Sequence, residues 1–91
     1  MHSGRRLITV EDTVFVEGHG VALIPGLVPE GDENFQSGDA IELRLPNGNE
    51  TRTHIASLQV PIPNPNHEVI VMLPREFGEE DVPIGTEVWS V

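Results

Sequence analysis

Nine glycines and eight prolines punctuate this 91-residue chain, and no stretch between them carries a helical period. Proline fixes φ and removes a backbone donor, and glycine weakens a helix interior, so this spacing excludes long helices and requires many turns. Between the breaks, apolar residues alternate with polar ones or form short β-branched runs, the pattern of strands. With 10.0 kDa to fold, the chain can bury one compact core, about 60–65% of its unfolded surface.

The pattern predicts strands over Thr13–Glu17 and Val21–Ile24, separated by Gly18-His19-Gly20, which reads as a bulge or a close backbone approach. Pro29–Asp39 reads as a polar loop. Ile41, Leu43 and Leu45 alternate with Ala40, Glu42 and Arg44, and Pro46-Asn47-Gly48-Asn49 supplies a hairpin turn. The return strand is Thr51–Leu58, with Thr51, Thr53, Ile55 and Ser57 on one face. Val60–Asn66, with prolines at 61, 63 and 65, is a stiff connector. Val69–Leu73 is a continuous apolar strand, Gly78–Asp81 a single helical turn, and Glu87–Val91 the closing strand. Short strands at even spacing predict an all-β fold, a small closed six-stranded antiparallel barrel over residues 10–91, preceded by a flexible N-terminal tail over residues 1–9.

Charge narrows the function. Fifteen Asp and Glu face five Arg and no Lys, a formal net charge of -10. Such a chain repels phosphate backbones and anionic membranes, so neither nucleic acid nor a membrane is an expected partner. It suits a basic protein, although acidic surfaces also serve solubility alone. No Lys means no Schiff base, and no Cys means no thiolate nucleophile, disulfide or Cys-ligated zinc. No membrane-length apolar run is present, and Leu7–Val10 is too short for a signal peptide, so a cytoplasmic location is expected.

Three segments carry a resemblance. Glu11–Val21, Phe35–Leu43 and Glu80–Val88 are similar, in order, to the opening, the Gly-Asp strand entry and the closing turn of the second domain of translational GTPases such as elongation factor Tu. That resemblance implies a Greek-key barrel, standing free of a GTPase domain, and a link to translation. His19 stands between two glycines where that family carries Arg, and the loop Pro61–Asn66 holds neither Arg nor Gly. No G-x-x-x-x-G-K-[ST] segment is present, so GTP hydrolysis is not expected of these residues.

The four histidines, at 2, 19, 54 and 67, are isolated, and the acidic clusters Asp32-Glu33-Asn34 and Glu76/Glu79–Asp81 lack calcium-loop spacing. No G-x-S-x-G elbow frames any serine, so no catalytic residue, cofactor or metal is assigned. The leading expectation is a non-catalytic module that docks a protein partner. An RNA-binding module is the second reading, with Phe15, Phe35, Phe77 and Trp89 for stacking. A metal-dependent enzyme using His19 and the acidic loops is the third. Because a closed barrel has no sheet edges, docking is expected on rims. One candidate rim is His19 with its glycines; the other is Phe77 among Glu76, Glu79, Glu80 and Asp81. Phe77 reads either as an aromatic anchor for the partner or as a plug in the barrel's open end.

Overall fold

The computed structural model describes residues 4–91. Eight strands follow in order: β1 (Arg6–Thr9), β2 (Asp12–Val16), β3 (Gly20–Ile24), β4 (Ala40–Arg44), β5 (Glu50–His54), β6 (Ser57–Gln59), β7 (Ile70–Met72) and β8 (Glu87–Ser90). A short 3-10 helix, Glu79–Asp81, precedes β8. All pairings are antiparallel and they build two separate sheets of four, β1-β8-β4-β5 and β2-β3-β7-β6.

The expected closed six-stranded barrel is therefore not the fold. The chain bends at two corners and enters the other sheet, once between β1 and β2 and once within Thr51–Leu58, which reads as a single strand. At the first corner, Val10 donates its N–H to Thr86 in the β8 sheet (2.7 Å) and Glu11 donates to Ile24 of β3 (2.8 Å). At the second, Ile55 N–H donates to Asp39 before β4 (2.9 Å) and Ala56 N–H to Met72 of β7 (2.9 Å). Each corner also shifts the inward parity. Thr53 lies opposite the buried Ile41, but beyond the corner it is Leu58, not Ser57, that lies opposite the buried Val71. A strand of constant alternation could have stayed in one curved sheet; these slips force a change of sheet.

Residues 6–9, expected in the tail, form β1. Its backbone pairs with β8, and Leu7 and Ile8 are buried. Residues 1–3 of that expected tail lie outside the described residues.

The core lies between the sheets. Val21 and Leu23 of β3 and Val71 of β7 face Ile41 and Leu43 of β4 and Val88 of β8, and the corner residues Val10 and Ile55 complete the layer. The Asn47-Gly48 turn stands where the chain requires it. Gly48 has φ 94°, its N–H donates to the Leu45 carbonyl at 3.0 Å, and Arg44 pairs with Glu50. Glu17-Gly18-His19 is the β2–β3 hairpin connection rather than a bulge within a strand, with His19 N–H donating to Val16 at 2.9 Å and Gly20 opening β3. The close backbone approach is at Gly20, where a Cβ would lie 2.7 Å from the Leu73 carbonyl oxygen.

Candidate acidic docking site

The segment between β7 and β8 is folded by its own short-range hydrogen bonds. Phe77 N–H donates to the Pro74 carbonyl at 3.0 Å, closing one turn. Asp81 then serves as a local brace: its carboxylate accepts the Gly78 N–H at 2.8 Å and its own N–H returns to the Gly78 carbonyl at 3.0 Å. Val82, buried in the core, ties the far end down. Phe77 is half-buried and packs against the core, so the segment is pinned at two apolar points while Glu76, Glu79, Glu80 and Asp81 stay exposed between them.

Glu76, Phe77, Glu80 and Asp81 line one open recess together with Leu45 from the end of β4 and Thr51 of β5. Leu45 and Phe77 give it an apolar floor and the carboxylates an acidic rim. Glu79 belongs to the same 3-10 helix but not to the recess lining. His19 lies apart: it lines a separate recess with Val16, Gln59 and Met72, which contains no carboxylate.

Four of the five arginines are already engaged. Arg5 binds Glu33 through Nε at 2.7 Å and approaches Glu30 at 3.7 Å. Arg6 approaches Glu87 at 3.9 Å. On the outer face of the β4 sheet, Arg44 and Arg52 converge on Glu42 at 2.8 and 3.5 Å, and the Arg44 guanidinium stacks 4.0 Å over the Trp89 ring. The hydrogen bond from Arg5, aided by the Glu30 backbone N–H, holds the Glu33 carboxyl down at about 2. The hydrogen bond from Arg44 likewise lowers Glu42. By contrast Glu76, Glu79, Glu80 and Asp81 make no ion pair among the described residues.

Among the described residues no group of three His, Asp or Glu is placed to hold a metal ion, and no helix is long and apolar enough to cross a membrane. Sequence reasoning missed Leu45 and Thr51, since nothing local shows that the hairpin will lie against the acidic segment. Comparison of the chain with protein-family models, with curated proteins and with solved structures found no match.

Proposed function

We propose that the chain is a non-catalytic docking module whose Phe77 recess receives a basic segment of a partner protein. The observation that carries this reading is the cluster Glu76, Glu80 and Asp81 around the apolar floor of Phe77 and Leu45, which pairs with no cation among the described residues. Uncompensated charge of one sign around an apolar anchor steers an oppositely charged partner and then holds it. The chemistry available there is binding: the carboxylates are exposed, and no histidine lines the recess to activate the Thr51 hydroxyl. The three segments similar to the second domain of translational GTPases are the ground for a translation-related partner within this proposal; the two-sheet architecture adds nothing to that part.

The RNA-binding reading is weaker. Arg44 and Arg52, two of the three arginines beyond the N-terminal segment, are committed to Glu42, so little free positive charge is left for phosphates. The metal-enzyme reading loses its ligand set, because the His19 recess holds no carboxylate.

The test is association kinetics with a Lys/Arg-rich probe peptide at several salt concentrations. The charge-reversed variant Glu79→Lys/Glu80→Lys should associate about tenfold more slowly and with a flatter salt dependence. An unchanged association rate would remove the acidic rim as the docking surface.

A further inference from the structure

Two open sheets leave four edge strands, and three of them are guarded. β1 carries a register irregularity between Arg6 and Ile8. β5 presents Glu50 and Arg52. β6 has only three residues, with Pro61 soon after. Bulges, charges, shortness and proline are the usual devices against strand addition. β2 has no bulge, no proline and no charge beyond Asp12 at its start: its five residues run in regular register with β3, and Val14, Phe15 and Val16 are exposed in succession.

Its free side offers hydrogen-bonding groups. Thr13 N–H donates to the carboxylate of its neighbour Asp12 at 2.8 Å rather than into the ladder, which places the backbone groups of Thr13 and Phe15 on the free side. No other element makes a backbone hydrogen bond to that side among the described residues. Phe15 lies opposite the fully buried Val21, so its ring is on the core-facing side of the sheet, yet it is 57% exposed. The opposite sheet does not reach it.

Charge selects the occupant. Glu11 and Asp12 stand at one end of β2 and Glu17 at the other, all without ion pairs, and the 3-10 helix with Glu79, Glu80 and Asp81 lies alongside. A second copy pairing antiparallel about Val14 would set Glu11 opposite Glu17 in both directions, and like charges facing each other oppose pairing. An extended strand carrying Lys or Arg around an apolar middle meets acid at both ends and Phe15 between them.

We propose that the free edge of β2 takes up an extended basic segment of a partner protein as an added strand of the β3 sheet. This rests on the basic-partner reading above but uses a different surface, through backbone bonds as well as charge.

The experiment titrates the intact protein with a synthetic nine-residue peptide of alternating Lys and Val, and with the same peptide N-methylated at alternate amides. N-methylation preserves charge and removes the ladder. The expected result is binding about tenfold weaker for the methylated peptide, and slowed hydrogen exchange at the Phe15 amide with the unmethylated one. Phe15→Pro, which removes a free-side N–H together with the exposed ring, should abolish that difference and weaken both peptides; the methylated peptide gives the same answer should this variant fail to fold. Equal affinity of the two peptides overturns the proposal, as does Phe15 protection that arises from self-association without peptide. The Phe77→Ala variant separates the two readings, since Phe77 floors the recess and is no part of the edge. A methylation effect that persists there, with unchanged affinity, supports the edge and rejects the rim. A loss of affinity without any methylation effect rejects the edge and keeps the rim.

Discussion

Replacing Phe77 by Ala separates its two roles. A phenylalanine that is fully enclosed costs about 3–5 kcal/mol on truncation, because transfer and cavity terms add. Phe77 is half-buried, packed against the core on one side and open to the acidic recess on the other. About two thirds of a phenylalanine's usual buried surface, about 130 Å² at about 25 cal/mol per Å², comes to roughly 3 kcal/mol. The open recess adds little cavity cost, since water and the Leu45 side chain can move in. A loss of about 3 kcal/mol is expected, together with about tenfold weaker binding of a basic peptide. Urea unfolding followed through Trp89, the single tryptophan, measures the first, with a midpoint shift of about 1–2 M. A titration under native conditions measures the second. A loss above about 4 kcal/mol would show that Phe77 is a core plug whose open face counts for nothing. A stability change below about 0.5 kcal/mol would refute the half-buried accounting itself.

Gly48→Val should destabilise by about 1–2 kcal/mol through backbone strain alone, since φ is 94° and no atom lies within 4 Å of the added Cβ; denaturant unfolding checks this. Acid should loosen the Arg5–Glu33 clasp with a definite sign. The folded Glu33 carboxyl sits at about 2 against an ordinary 4.5, so its stabilisation is complete above about pH 4.5 and is lost as pH falls toward 2. Thermal melts of Glu33→Gln should show a lower Tm than the wild type at neutral pH and a gap that narrows across that window. Single-stranded RNA and tRNA should bind no more tightly than about 10 μM at physiological salt, measured by fluorescence anisotropy, because four of the five arginines are paired internally.

Much of the candidate site was legible because its signal is local. Phe77 among four acids, braced by Gly78, is a composition that reads directly as an exposed acidic segment, and the structure gathers Glu76, Phe77, Glu80 and Asp81 in one recess. Leu45 and Thr51 were not legible there, since they arrive from a distant hairpin. His19, read as a second rim, lies apart from the acidic recess and lines its own with Val16, Gln59 and Met72. Its glycine neighbours mark a hairpin connection and a tight approach to Leu73.

By itself the sequence determined the all-β class, the Asn47-Gly48 turn and the alternating β4, because φ preferences and two-residue periodicity act over a few residues. Glycine and proline spacing argued against long helices, and among the described residues the one helical element is the 3-10 turn Glu79–Asp81. Tertiary structure alone decided between one curved barrel and two sheets. The choice lies in the parity slips at Val10–Glu11 and Ile55–Ala56, where alternation is broken over one or two residues and the hydrogen-bond partners change sheet. A slip that small leaves no trace in composition or period. Its cost is set by which distant strand offers a free edge and a buried face, and that is a property of the assembled core. The same decision left β2 as an edge strand and Phe15 uncovered on the inward side of its sheet.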